Sequence, residues 1–476
     1  MSGAPVSEVA PGRALTVGLV LGVTVMAIGA LAVVTVAPRI PAELGGLEHY
    51  GWLFSANLLA SLVGTVWGGA QADRHGPGRA FVLGLLAFVV GSALAAVAPS
   101  MGVVIGARAL QGLGGGAVVT CIYVAVTVAY PDHARARVMA LLSAAWVVPA
   151  LLGPAAAGLV AELASWRWVF AALVPLASLV AFLTIPSFVG LRPSTVVSPT
   201  GDRRLWRALV LAAAVGAGVW ALGATAPWWW RALAGVSAVV VVPRALARLG
   251  PPRMLHLAPG LASVVAARGF LFAGFITVEV YLALMLTDLL GLSSAITGLV
   301  IATGALVWTL GSWLQARLED LAWSEVSTSR WLALARSRER RVLLGAQVLG
   351  TGLALQLLTL ALPGPAALAL ALCGWALAAT GIGFAHATSS VLAFERAEHE
   401  RVEPGSVSAA LQLADGVAAA TATGVAGALL ALVTPGAGLA AGVAVAYAVG
   451  VSAVALSLLA AGRIGAARTR STPTPA

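Results

Sequence analysis

The sequence predicts an all-α polytopic membrane protein with fourteen transmembrane helices. Three observations carry the prediction. Of the 476 residues, 60% are hydrophobic and 10% are charged, where soluble domains carry roughly 25% charged residues; the mean hydropathy is +0.96. The apolar runs are near or above the roughly 20 residues that a helix needs to cross a bilayer. Every one of the 28 lysine-plus-arginine positions is arginine, and these are dealt into alternate loops, the positive-inside distribution.

Taken in order, the apolar runs place the first six spans at 14–38, 49–72, 80–98, 101–130, 138–163 and 168–191. Two more fall at 205–223 and 228–246, and a last six at 261–287, 295–315, 342–362, 366–392, 406–433 and 438–461. The polar start, 1–13, leads into a run too long for a typical signal-peptide core, so the first run reads as a retained span. With the N-terminus inside, the inner loops hold Arg74 and Arg79, Arg135 and Arg137, Arg192 to Arg207, and Arg244 to Arg253. Arg317 to Arg341, Arg396 and Arg401, and Arg463 to Arg470 complete that set, against only Arg39, Arg167 and Arg231 outside. An even span count with both termini cytoplasmic, in the plasma membrane, preserves this contrast.

The net charge of +10 therefore sets orientation and points to no nucleic acid. Cys121 and Cys373 fall in apolar runs of different halves and read as small core residues. No phosphate-binding loop, metal-ligand cluster or local signature of an enzyme nucleophile is legible, so the chain is expected to be no enzyme and to need no cofactor or metal. Pairs such as Gly64/Gly68 and Gly438/Gly442 let helix backbones pack closely in lipid. Trp228, Trp229 and Trp230 form an interfacial anchor. The stretch 319–341 is the longest inner loop, and Trp323, Trp331, Leu332 and Leu334 suit either a surface helix or a loose loop.

A faint repeat relates the end of the second span to the end of the tenth, where Gln315 stands in the position of Asp73. The division it suggests is a six-helix bundle over 1–191, two inserted helices with linkers over 192–260, and a second bundle over 261–476.

The motifs are local. Gly69, Asp73, Arg74, Gly76 and Arg79 form Gly-x-x-x-Asp-Arg-x-Gly-x-x-Arg between the second and third spans. There glycines let helix ends approach, and the Asp73 carboxylate suits a neighbouring helix N-terminus. Arg108, Gln111 and Gly112 form Arg-x-x-Gln-Gly in the fourth span. An arginine so placed costs about 2.5–3.5 kcal/mol on insertion scales. In the fifth span, Gly153, Pro154 and Gly158 follow Pro149, a composition that allows the helix to bend.

These stretches resemble the major facilitator superfamily. The density of matches in the first half, with 49–56, 166–170 and 310–315, is similar to its fourteen-span drug:proton antiporters of actinobacterial type. The resemblance implies a major facilitator fold, a role in proton coupling for Arg108, and, from the fifth-span motif, export. Pro149 and Ala157 replace two glycines of that motif, Leu173 stands where asparagine is expected, and the first span lacks the family's usual acid.

Two carboxylates lie well inside spans, Glu279 and Asp415, and intramembrane acids are costly and functional by default. With Arg108 they are the expected proton-coupling set; His386 reads as packing. Asn57, Gln111, Trp146, Tyr281, Trp308 and Gln412 are the expected cargo-lining residues. The expected activity is export of small amphipathic or hydrophobic compounds by alternating access, in exchange for protons, by a monomer. A lipid or glycolipid flippase, suggested by the missing first-span acid, is the alternative; a non-transporting membrane sensor is the third reading.

Overall fold

The computed structural model describes residues 13–189, 191, 201–223, 227–323 and 337–465, and among them every regular element is helical. The helices are α1 (Arg13–Val36), α2 (Arg39–Leu44), α3 (Trp52–His75), α4 (Pro77–Ala96) and α5 (Met101–Ala129), then α6 (Asp132–Ala144), α7 (Val147–Leu163) and α8 (Trp166–Val189). The pair α9 (Gly201–Gly223) and α10 (Trp228–Leu249) follows. The chain closes with α11 (Leu261–Leu284), α12 (Ser294–Trp323), α13 (Arg338–Thr359), α14 (Gly364–His399) and α15 (Pro404–Arg463).

Among the described residues thirteen helical runs are long and apolar enough to cross a membrane, and the last contains 59 residues, far beyond the roughly 20 that a bilayer demands. It is a hairpin. The backbone leaves the helix at Gly438, with φ 84° and ψ 166°, a conformation that a side chain rarely allows. Gly442 then packs back against Leu430, whereas an unbroken helix would hold residues twelve apart separated by about 18 Å. Thirteen runs thus supply fourteen spans. Gly438/Gly442, expected as a packing pair, is instead the turn of this hairpin.

The fifth span is two helices, with the break at Ala145–Trp146. The stretch from Pro149 to Gly158, expected to let the span bend, is helical within α7, and the break falls just before it. Pro149 supplies the reason: it has no N–H for the Ala145 carbonyl four residues back, and its ring clashes there. In the tenth and eleventh spans, α12 runs to Trp323 and α13 starts at Arg338, both longer towards the loop than the apolar runs; 324–336, including Trp331, lies outside the described residues.

Small residues set the closest packing. Gly64 of α3 lies against the Leu113 backbone of α5, and Gly112 of α5 against the Asn57 carbonyl of α3. Helix α9 lies across the seam between α3 and the first arm of α15, where Leu211, Val215 and Val219 join a cluster with Leu59, Leu62, Leu413, Val417 and Ala420. Helix α10 packs on α9, with Trp228, Trp229 and Trp230 exposed at its start.

Candidate functional site

The first six and last six spans meet along two seams near the end of the molecule that carries Arg39. In the first, Gly158 of α7 lies against the Ser294 carbonyl of α12, and Gly298 of α12 lies reciprocally against the Pro154 carbonyl. A Cβ at either glycine would overlap the opposite backbone. Polar contacts reinforce this seam: Arg39 Nε donates to Ser294 Oγ at 2.6 Å, and the Ala295 N–H donates to Glu162 at 3.2 Å. The latter puts a carboxylate of one half at a helix N-terminus of the other, where the helix dipole favours it. In the second seam Gly51 meets Gly427, the Tyr50 hydroxyl donates to the Val280 carbonyl at 3.0 Å, and Ser55 Oγ donates to the Ala420 carbonyl at 2.9 Å.

The opposite end of the molecule carries Asp73. Helix α6 packs there on α1, α5 and α7. The last six spans gather ion pairs at this end: Glu319 binds Arg338 and Arg341, Arg338 binds Glu395 at 2.8 Å, and Arg396 binds Glu339. Gly76 caps α3 at φ 83° and begins the turn into α4. Gly69 makes an ordinary contact with Thr120, Arg79 is exposed, Arg74 is engaged, and half-buried Asp73 feels the charge of Arg204 at the start of α9.

Arg108 is 3% exposed, and among the described residues its partners are neutral. Its Nε donates to the Leu53 carbonyl at 3.1 Å, and its Nη1 to Gln111 Oε1 at 3.0 Å and to the Gly29 carbonyl at 3.4 Å. Asn57 donates to the Arg108 carbonyl, and Gln111 to Ser92 Oγ at 2.8 Å. The guanidinium thus ties α1 and α3 to α5, and Gln111 extends the network to α4. A buried cation so held is hydrogen-bonded but not neutralised, which keeps a positive charge inside the first six spans.

The last six spans hold the richer constellation. Arg268, Phe272, Phe275 and Glu279 recur at i, i+4, i+7 and i+11 on one stripe of α11, about 16 Å from end to end. Asp415 accepts from Arg268 Nη2 at 2.9 Å and from its Nε at 3.0 Å, and lies 3.3 Å from His386 Nε2. Arg268 also donates to Ser390 Oγ and to the His386 carbonyl. The His386 ring lies 5.7 Å from Trp308 and 5.6 Å from Phe272, and Phe275 stacks on Trp375 at 5.0 Å. Glu279, 9% exposed, has no ionic partner among the described residues.

Several expectations change here. Asp415 pairs with Arg268 in its own half. His386, read as packing, is a partner of that pair. Arg268 was overlooked, although it lies as deep in its span as Arg108 does, a signal available in the sequence. Tyr281 is fully buried in the second seam, where its hydroxyl donates to the Thr423 carbonyl at 2.9 Å. Gln111, 1% exposed, serves Arg108. Trp308 and Asn57 are part-exposed, Gln412 is exposed, Trp146 is exposed at the α6–α7 break, and Gly153 faces open space.

Residues 19–423 match the model of the Major Facilitator Superfamily. The chain belongs to that superfamily. Within it, a protein of Mycobacterium tuberculosis named as a probable multidrug-efflux transporter is 29% identical over 431 residues, 86% of either chain. The multidrug transporter protein MdtP of Bacillus subtilis is 31% identical over 156 residues, 33% of this chain and 29% of that protein. Among solved structures, a peptide transporter POT in complex with sulfate superposes with a TM-score of 0.66 over 96% of this chain and 95% of that one. A D-xylose-proton symporter does so with 0.59 over 94% and 96%. Both are 16% identical to this chain and share its superfamily fold.

Proposed function

We propose that this protein is a secondary exporter of lipophilic small molecules, working by alternating access in exchange for protons. The observation that carries the reading is the close seating of one half on the other: glycines of the fifth-span motif seat directly on α12 near Arg39, and Arg39 and Glu162 bond across the same seam. A carrier needs such seams to form at one end while they part at the other. Similarity to a protein named as a multidrug-efflux transporter over 86% of both chains supports drugs as the cargo class.

In this reading 1–191 and 261–476 are the moving halves, and 192–260 rides on the α3–α15 seam. The Asp73 end and both termini face the cytoplasm of the cell whose plasma membrane holds the chain, as the arginine distribution supports. Asp73, Arg74 and Arg79, with Gly69 and Gly76, form the hinge loop that secures the other state. Trp308, Asn57 and Gln412 border the path of the cargo. Proton exchange belongs to the last six spans, at Glu279 and the Asp415 cluster, with Arg108 as the fixed positive charge opposite.

The deciding experiment is dye efflux from proteoliposomes under an imposed pH gradient, beside a fluorescent-lipid flip assay. Gradient-driven dye movement supports the reading. Lipid flipping without dye movement replaces it with the flippase, and neither activity removes transport from the account.

A further inference from the structure

Of the described spans, α10 buries the smallest share of itself in the protein, which leaves most of its surface to the bilayer. Val236, Val239, Val240, Arg244 and Arg248 are exposed and follow one another three or four residues apart along one side of it. This side is valine towards the middle of the span and arginine at its end. Arg244 Nη1 donates to the Val240 carbonyl at 2.7 Å, which holds the guanidinium against the helix. From Val236 to Arg248 is about 18 Å, close to one leaflet of a bilayer that is about 40–45 Å thick with its headgroups. Helix α9 has the same order at its start, with exposed Arg203 one turn ahead of exposed Trp206, and tryptophan favours the headgroup level.

The two arginine ends meet. Helices α9 and α10 pack together, with Leu211 and Ala245 in one cluster. One turn beyond that contact lie Arg207 on α9 and Arg248 on α10; Arg203 and Arg204 follow a turn further on, and Arg253 lies in the loop after α10. From Arg203 to Gly260 the sequence holds no aspartate or glutamate. Among the described residues none of these arginines has a carboxylate at ion-pair distance, and Asp73 feels the charge of Arg204 only through space. The last six spans differ at this end, where Glu319, Glu339 and Glu395 bind Arg338, Arg341 and Arg396. Orientation in the membrane depends on the arginines themselves and not on net charge, so it accounts for their presence and not for the lack of acids. Like charges packed so closely repel one another, and their counter-charge has to come from outside the chain.

We propose that the exposed side of the inserted pair binds an anionic phospholipid of the leaflet on the Asp73 side. Its phosphate lies among Arg203, Arg207, Arg244 and Arg248, and its acyl chains run along Val236, Val239 and Val240. Charge complementarity selects the headgroup, since basic pockets between spans take anionic headgroups, and the valines give the acyl part a surface of matching length. The bound lipid neutralises the arginine ends of α9 and α10 and so holds the pair together. This inference goes beyond the export reading and needs neither cargo nor proton.

The test counts the lipids that the purified full-length chain holds in a neutral detergent, by native mass spectrometry. Phosphatidylglycerol and phosphatidylcholine of the same chain length are titrated in turn. The wild type should prefer phosphatidylglycerol by roughly tenfold or more. Removing two arginines with Arg244→Gln/Arg248→Gln should lower that affinity by at least about fivefold, the share of a single arginine near an anionic lipid surface. The matched double variant Arg317→Gln/Arg401→Gln, which removes two exposed charges elsewhere, should bind as the wild type does. Equal wild-type affinity for the two lipids overturns the proposal without any variant. So does a preference that survives in Arg244→Gln/Arg248→Gln, or one that falls equally in both double variants. Displacement of the lipid by an equal concentration of free glycerophosphoglycerol would show a phosphate site with no place for the acyl chains, and overturns the lipid assignment. Dye efflux plays no part in the readout, so the outcome stands apart from the export reading.

Discussion

Gly158 of α7 lies flat against Ser294 of α12, so that any side chain at 158 would occupy the place of the Ser294 carbonyl oxygen. This contact joins the two halves of the chain, and Gly298 against Pro154 repeats it one turn along. Gly158→Ala should therefore weaken the joined state by about 1–3 kcal/mol, as overpacking of tight contacts does. That corresponds to a shift of roughly 5- to 150-fold in the balance of states. Spin labels on Ala42 and Ile296 should report a longer distance in the variant, and dye efflux should fall. An unchanged distance would show that the seam tolerates a methyl group and is no gate.

Asp73→Asn should cripple transport and leave folded protein in the membrane. Asp73 is half-buried and feels the charge of Arg204, and its carboxylate is expected to act when the Asp73 end closes, at a helix N-terminus of the other half. The loss should be roughly tenfold or more in dye efflux, the equivalent of about 1.4 kcal/mol. Efflux at the wild-type rate would reduce Asp73 to an orienting residue.

Glu279→Gln should weaken accumulation driven by a pH difference while cargo exchange without a gradient survives. Glu279 shares the α11 stripe with Arg268 and lacks an ionic partner among the described residues, so its charge is free to depend on the state of the protein. Exchange requires no net proton movement. Full pH-driven accumulation in this variant would remove Glu279 from the coupling.

The Arg39 end carries its own pH signature. Trp166 Nε1 donates to Glu43 at 2.6 Å and Arg167 Nη2 at 2.9 Å, and these hydrogen bonds hold the Glu43 carboxyl below its ordinary value of 4.5. A lowered folded-state value means that the contribution to stability is complete above the unfolded value and is lost as pH falls through the lowered one. The group is half-exposed and solvent-screened, so the effect is small. Melting curves of wild type and Glu43→Gln should differ at pH 6 and converge as the pH falls well below 4.5. Curves that stay apart in acid would show that Glu43 acts through shape and not charge.

Reporter fusions test the orientation. A reporter after Ala476 should read cytoplasm and one after Ala224 the opposite side, since α9 carries the chain across once more after the first six spans. Both on one side would undo the inserted-pair layout.

The sequence by itself determined the class, the number of spans and the motif positions. Each of these depends on a local property: the length of an apolar run against the thickness of a bilayer, the arginine content of a loop, or the spacing of glycines within one helix. Arg108 was legible because a cation deep in an apolar run is costly wherever it lies. The same logic applied to Arg268 at equal depth, and only its partner lay out of reach. Which acid meets which arginine is a matter of tertiary structure: Arg268 and Asp415 are 147 residues apart and touch because α11 and α15 pack side by side. Tertiary packing also put Tyr281 inside a seam, since hydropathy cannot tell a helix face turned to a cavity from one turned to another helix. The sequence sets which residues are expensive in lipid; only the packing of distant helices decides how each of those costs is offset.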